Sequence, residues 1–197
     1  MTLAQALQDV VAFDFFVLIY ALVARLRYGF GAGEISRRLG LTLGAGRFYG
    51  HALAIALPFS LLAISISSWT SGFKGSMIAP FVGAAPTREI VASALIYGFL
   101  ATGFPEELLF RGLIGGALFR RMAFWKANLL QAAIFMMPHL LILLIAPSLW
   151  PLAIVLPLAL GLANGWLRQK SGSIGPGVLL HAIPNIAGAL AVLNWKK

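Results

Sequence analysis

Residues 89–119 read EIVASALIYGFLATGFPEELLFRGLIGGALF, a long apolar segment that holds two adjacent carboxylates and a guanidinium in its interior. The segment is longer than the roughly 20 residues that cross a membrane upright. We therefore expect it to be tilted, kinked at Pro105, or split into two helices there. Because a charge inside a membrane is costly, Glu106, Glu107 and Arg111 are functional candidates from the outset.

The composition of the whole chain predicts a polytopic membrane protein. Hydrophobic residues make up 60% of the 197 residues, and charged residues only 11%. A net charge of +9 is expected to serve orientation and headgroup contact, not nucleic-acid binding, because no basic stripe carries interleaved aromatic residues. The chain has no cysteine, which excludes disulfides, thiolate metal sites and cysteine-protease chemistry. We expect a single integral membrane domain over residues 1–197.

Apolar runs of membrane-spanning length predict an all-α transmembrane bundle of six to eight helices, with a polar site buried near mid-membrane. The minimum count is six helices, and the long segment adds a seventh if it breaks. The pairs Gly112/Gly116 and Gly161/Gly165 have the small-xxx-small spacing that favours close helix packing. The predicted spans cover about 8–25, 50–68, 89–119, 127–146, 150–167 and 174–194.

The distribution of Lys and Arg among the loops predicts the orientation of the bundle. Three basic loops, 25–47, 120–126 and 168–172, fall on one side if six spans are present, and this side should be cytoplasmic. The short loops suggest the inner membrane of a bacterium. The opposite side carries fewer cations, and they are Lys74, Arg88, Lys196 and Lys197.

The polar residues within the predicted spans are few, and most of them pair at helical spacing. Residues four apart share one helix face, which links Glu107 with Arg111 and His181 with Asn185. Phe135 and His139 have the same spacing on a third span. The intramembrane candidates are Asp14, Glu106, Glu107, Arg111, His139, His181 and Asn185.

Depth along the helices predicts that these groups meet. Measured along the helices from the basic loops, at 1.5 Å per residue, Glu106 lies ~21 Å from Arg120, His139 ~20 Å from Lys126 and His181 ~17 Å from Lys170. All three fall near the middle of a hydrocarbon core about 30 Å thick. Asp14 lies at a similar depth, and we expect it either to line the same cavity or to lie near the interface.

These residues supply two carboxylates, two imidazoles and an amide to an apolar pocket that water can reach. Such a set of groups is able to hydrolyse a peptide bond. Glu106 would act as general base on water, and Glu107, paired with Arg111, would hold the helix. His139 would orient the water, while His181 and Asn185 would donate hydrogen bonds to the oxyanion. A divalent metal such as Zn²⁺ is the alternative, bound by Glu106, His139 and His181.

The polar residues on these three spans also carry a family resemblance. The motifs EExxxR, FxxxH and HxxxN occur in order, as 106-EELLFR-111, 135-FMMPH-139 and 181-HAIPN-185. The chain thereby resembles the CPBP family, which includes CAAX proteases and bacteriocin-processing enzymes often called Abi proteins. The match covers about 90–190. Pro138 and Pro184, where the family more often has ordinary helix formers, either aim the next side chain through a local kink or mark an inactive member of the family.

The resemblance implies an intramembrane endopeptidase that acts on a peptide or membrane-anchored protein, with the first Glu as base. It also implies an oxyanion hole formed by the His/Asn pair, and it leaves metal-dependent and glutamate-type mechanisms open. Two other classes remain as alternatives. One is a non-catalytic scaffold or bacteriocin-immunity factor, and the other is a proton-coupled transporter, since buried Glu and His also serve proton relays.

Overall fold

A computed structural model describes residues 2–70 and 78–193, and every regular element within these ranges is helical. Lys74, Lys196 and Lys197, which entered the predicted orientation, lie outside the described residues. The α-helices in chain order are α1 Leu3–Tyr28, α2 Ala32–Leu39, α3 Arg47–Thr70, α4 Arg88–Ile96, α5 Phe104–Glu107, α6 Gly116–Phe119, α7 Phe124–Met136, α8 Ile142–Ile145, α9 Leu156–Ser171 and α10 Gly175–Ala191.

Helices of membrane-spanning length confirm the all-α membrane fold. The segments Leu3–Tyr28, Arg47–Ile66, Phe124–Leu144 and Pro151–Ser171 are long and apolar enough to cross a membrane. The helix α10 is apolar but shorter. Large side chains on α1 and α3, such as Phe16, Leu26 and Leu57, are more than half exposed, as expected for surfaces that face lipid and not water.

The long segment 89–119 stays helical through Pro105, because its backbone hydrogen bonds change from the α-helical to the π-helical pattern on both sides of the proline. A π-helical stretch, Tyr97–Gly103, precedes α5, and a second, Leu108–Gly115, follows it. The amide of Phe104 donates to the carbonyl of Phe99, five residues back. Wider turns tolerate a proline that cannot donate to the residue four positions back, and π-helical turns occur frequently at functional sites.

The 25–47 segment, expected as a loop, contains the short helix α2, which packs under the basic end of the bundle. Gly112 and Gly116 make this possible, because a Cβ at either position would lie 2.7 Å from the carbonyl oxygen of Leu39 or Arg38 respectively. The guanidinium of Arg168 donates to Arg38 O at 3.1 Å. The predicted small-residue packing is therefore present, but the partner of Gly112 and Gly116 is α2, not another spanning helix.

The helix α10 forms the centre of the bundle. It packs against α3, α9 and the Tyr97–Gly103 stretch, while α7 packs against α9. In the second predicted small-residue pair, Gly161 faces Ala132 of α7 and Gly165 faces Asn128 and Gln131. These close approaches bring α5, α7, α9 and α10 around one point near the middle of the bundle.

Candidate active site

A cavity of about 360 Å³ lies where these helices meet. Most of its wall is apolar, and it includes Phe59, Ile142 and Leu160. An apolar cavity with a few convergent polar groups is the usual form of a binding or catalytic site. Its polar wall brings together four of the residues singled out from the sequence, namely Glu106, His139, His181 and Asn185.

Glu107 lies behind this wall and is fully buried. Its Oε1 accepts hydrogen bonds from Asn164 Nδ2 at 2.7 Å and from His181 Nδ1 at 3.0 Å. Arg111 Nη1 lies 3.0 Å from the same oxygen, as a charge–charge contact without hydrogen-bond alignment. The predicted Glu107–Arg111 pair is therefore present. Gly177 leaves room for it, since a Cβ there would lie 2.9 Å from Glu107 Oε2.

Glu106 differs from its neighbour in lining the cavity, with 15% of its side chain exposed. Its Oε2 lies 3.7 Å from His181 Nε2. Successive residues on a helix are about 100° apart, so the two carboxylates face different surroundings. Both carboxylates contact the imidazole of His181, Glu107 at Nδ1 and Glu106 at Nε2.

The buried ring of Phe135 connects the groups on both sides of the cavity wall. The guanidinium carbon of Arg111 lies 4.0 Å from the ring centroid, which is a cation–π contact. The imidazoles of His139 and His181 lie 5.0 Å and 5.8 Å from the same centroid. The aromatic residue of the FxxxH pattern therefore positions an arginine and two histidines at once.

His139 follows the end of α7, where the helix tightens into the 3₁₀ turn Met137–Leu141. Pro138 lies in this turn, as expected for a proline that changes the local direction of the chain. His139 Nδ1 lies 3.1 Å from the carbonyl oxygen of Phe135. A carbonyl only accepts, so Nδ1 carries the proton and Nε2 of a neutral ring keeps its lone pair.

Asn185 is held by a hydroxyl that the sequence analysis did not single out. Its Nδ2 donates to Thr102 Oγ1 at 2.9 Å. Thr102 Oγ1 in turn lies 3.1 Å from the carbonyl oxygens of Tyr97 and Gly98, within the π-helical stretch. Pro184, which precedes Asn185, lies inside α10 without ending it.

Asn164 is the second functional candidate that the sequence analysis missed. It lies on α9, is fully buried, and donates to Glu107 Oε1. The contact spans 57 positions, so no spacing within one helix could have indicated it. The available signal is an amide side chain inside the predicted span 150–167, one turn from Gly161, in a chain with only four Asn.

Asp14 is not brought to the cavity. It is 5% exposed on α1, and the wall of the cavity does not include it. The first of its two expected placements, in the wall of the cavity, is therefore not observed, and α1 packs against the Tyr97–Gly115 region. His51, at the start of α3, is exposed, and its ring contacts Phe48 in a tilted and Trp166 in an edge-on arrangement.

The metal site suggested from the sequence stays a prediction. Within residues 2–70 and 78–193, no three His, Cys, Asp or Glu side chains are grouped so that they could hold a metal ion. The suggested ligands Glu106, His139 and His181 all line the cavity, and Glu106 Oε2 lies 3.7 Å from His181 Nε2.

Residues 88–187 match the family described as Rce1-like, type II CAAX prenyl endopeptidase. This range is more than half of the chain and contains all three motifs. The chain belongs to this family. No curated protein and no solved structure matches the chain.

Membership of the Rce1-like family confirms the resemblance to CPBP proteins. It makes the chain an integral membrane protein with intramembrane endopeptidase activity on a protein or peptide. The matched residues cover α4 through most of α10. They therefore include every polar group of the cavity wall and the Glu107 cluster behind it.

Proposed function

We propose that this Rce1-like chain cleaves a membrane-associated peptide by activating water with Glu106. The observation that carries the proposal is the unequal placement of the two adjacent carboxylates. Glu106 Oε2 lies in the cavity wall, 3.7 Å from His181 Nε2, whereas Glu107 is fully buried behind it. Only Glu106 is therefore reachable by water and substrate together.

In the first step the Glu106 carboxylate takes a proton from water as the water oxygen attacks the carbonyl carbon of the scissile bond. The lone pair on His139 Nε2 accepts a hydrogen bond from the same water and orients it. The carbonyl π electrons move to oxygen and form a tetrahedral oxyanion. Glu106 then returns its proton to the amide nitrogen as the carbon–nitrogen bond breaks, which releases a carboxylic acid and an amine.

The oxyanion would accept hydrogen bonds from His181 and Asn185. His181 Nδ1 is directed at the ionised Glu107, so its Nε2 can donate only when the ring carries both protons. Asn185 uses one N–H on Thr102 and keeps a second for the oxyanion. A single preorganised donor of this kind contributes roughly 10²–10³ in rate.

Glu107, Arg111 and Asn164 act as positioning residues in this proposal. The carboxylate of Glu107 fixes the orientation of the His181 ring and balances the charge of its protonated form. Arg111 balances Glu107 in turn, and its guanidinium packs on Phe135. Together these groups hold the hydrogen-bond donor His181 and the base Glu106 at a fixed distance and orientation before substrate binds.

The apolar wall of the cavity favours a substrate with apolar residues next to the cleaved bond. We propose that the substrate is a membrane-anchored protein or peptide of the bacterial inner membrane. A peptide approaching through lipid meets a site already lined with apolar side chains and needs only its scissile bond to reach polar groups.

The decisive experiment compares Glu106→Gln with Glu89→Gln in purified protein. Glu89 is exposed at the start of α4, in the same long segment, and is a matched Glu-to-Gln control. We expect Glu106→Gln to lower peptide cleavage by about 10²–10⁴-fold, the range for loss of a general base. Glu89→Gln should cleave like wild type. Cleavage by Glu106→Gln at the wild-type rate would refute the proposal.

A further inference from the structure

Five arginine side chains meet at the basic end of the bundle, although they come from three separate segments. Arg37 and Arg38 lie on α2, Arg120 and Arg121 follow α6, and Arg168 lies in the last turn of α9. We call these five residues the arginine cluster. Arg168 Nη2 donates to the carbonyl oxygens of Arg37 at 3.4 Å and of Arg38 at 3.1 Å. Arg120 Nη1 donates to Arg38 O at 3.3 Å, so the end of α2 joins all three segments.

The described part of the chain supplies little negative charge to this cluster. Glu34 pairs with Arg37 and Arg38, at 2.6 Å in both contacts. No carboxylate of residues 2–70 and 78–193 lies within ion-pair distance of the other three guanidinium groups. Five arginines and one glutamate leave a formal charge of +4. The carbonyl oxygens at the end of α2 offset only about half an elementary charge of it.

Arg168 is the buried member of the arginine cluster, with 9% of the residue exposed. Its Nε is buried and has no hydrogen-bond partner within the described ranges. The positive charge of Arg120 acts on it. Arg120 in turn interacts with the like charges of Arg38 and Arg121. Buried charges in proteins are normally paired, because an unpaired one keeps its desolvation cost. An anion from outside the chain would therefore stabilise this end of the bundle.

Position along the spanning helices puts the arginine cluster at the level of the lipid headgroups. The apolar segments Leu3–Tyr28 and Pro151–Ser171, each long enough to cross a membrane, both end on this side of the bundle. Arg168 lies three residues before the end of the second segment, about 4.5 Å along the helix. Polar headgroup regions flank the hydrocarbon core at this depth. Arg120 and Arg121 are exposed, so a headgroup can reach the cluster from the membrane surface.

We propose that the arginine cluster binds the phosphate of an anionic lipid headgroup. This inference is independent of the proposed function, because none of the five arginines lines the cavity. Guanidinium groups stay charged and bind phosphate oxygens with paired N–H donors. The exposed Arg120 and Arg121 contact the phosphate, and the buried Arg168 contributes its charge from behind them. Clustered arginines at a cytoplasmic surface, which this end is predicted to be, attract anionic lipids. The bound lipid then holds α2 against α6 and α9.

Thermal unfolding of the purified protein in micelles of a non-ionic detergent tests this proposal. Phosphatidylglycerol should raise Tm by about 2–4 °C, as expected for one ligand in modest excess over its Kd. Phosphatidylcholine, whose phosphate is balanced by choline, should have no such effect at the same concentration. Inorganic phosphate at matched ionic strength should also have none. An equal rise with phosphatidylcholine would indicate a general lipid effect, and an equal rise with inorganic phosphate would indicate a site for free anions. Either result would overturn the proposal.

Charge-removing variants locate the site, and the quantity compared is the lipid-induced rise in Tm. Arg120→Gln and Arg121→Gln should each lose at least about half of the rise, because each arginine near the surface contributes a similar share of the attraction. Arg27→Gln is the matched control, since Arg27 is exposed at the same end, on α1 and outside the cluster. It should keep the full rise. If Arg120→Gln does not fold, the exposed Arg121→Gln decides the question. A wild-type rise in Arg121→Gln, or an equal loss in Arg27→Gln, would overturn the proposal.

Discussion

Two Glu–Arg pairs with the same spacing lie in different parts of this molecule. Glu34 and Arg38 pair on α2 with Oε1 and Nε 2.6 Å apart, and about one third of each side chain is exposed. Glu107 and Arg111 pair at 3.0 Å and are both fully buried. The longer contact has the larger energetic consequence, because water screens the first pair and is excluded from the second.

Removing one partner of the buried pair should have the largest effect on stability. Glu107→Gln leaves the Arg111 charge buried without compensation, and we expect a loss of about 3–5 kcal/mol in the free energy of unfolding. Thermal or SDS unfolding in detergent micelles measures it. The double variant Glu107→Gln/Arg111→Met should recover part of this loss, because neither charge remains. A double variant less stable than Glu107→Gln would contradict the assignment of the pair.

Asn164→Leu tests whether the buried pair needs its third partner. The substitution removes a hydrogen bond to a charged group, worth about 1.5–3 kcal/mol. We expect a lower kcat with little change in KM, because Glu107 then holds His181 less firmly. Asn128 provides the control, since it donates to Leu162 O and does not contact Glu107. If Asn128→Leu lowered kcat as much per folded molecule, Asn164 would have no specific positioning role.

Thr102→Val extends the comparison to a neutral hydrogen bond on the cavity side. The variant removes the oxygen that holds Asn185, at a cost of about 1 kcal/mol, which corresponds to several-fold in rate. Steady-state cleavage should show a lower kcat, and Thr102→Ser should restore it because the hydroxyl returns. A Thr102→Ser enzyme as slow as Thr102→Val would show that the hydroxyl is not the relevant group.

The exposed pair should give the smallest effect, and a pH-dependent one. Hydrogen bonds from Arg38 and then Arg37 lower the pKa of Glu34 below its usual range. A lowered folded-state pKa stabilises α2 above the unfolded-state value and loses this contribution as pH falls through the folded value. The protection factors of the amides in residues 32–39, which correct for the intrinsic pH dependence of exchange, should therefore fall slightly in acid, and Glu34→Gln should remove this fall. Identical pH profiles for the two proteins would contradict it.

Helical periodicity explains what could be read from single segments. The partners four residues apart were predictable because one turn of helix fixes their distance, as in Glu107–Arg111 and the Phe135–His139 contact. The length of the apolar runs predicted the spanning segments. The rise per residue along each helix predicted that Glu106, His139 and His181 lie at a similar depth in the membrane. The roles of these residues in catalysis stay predictions.

Contacts between distant segments were decided by the tertiary structure. Glu107 meets Asn164 and His181 across 57 and 74 positions, and Asn185 meets Thr102 across 83. The position of α2 under Gly112 and Gly116, and the exclusion of Asp14 from the cavity, have the same origin. Local rules determine which face of a helix is polar, whereas the packing of several helices determines which of two adjacent carboxylates water can reach.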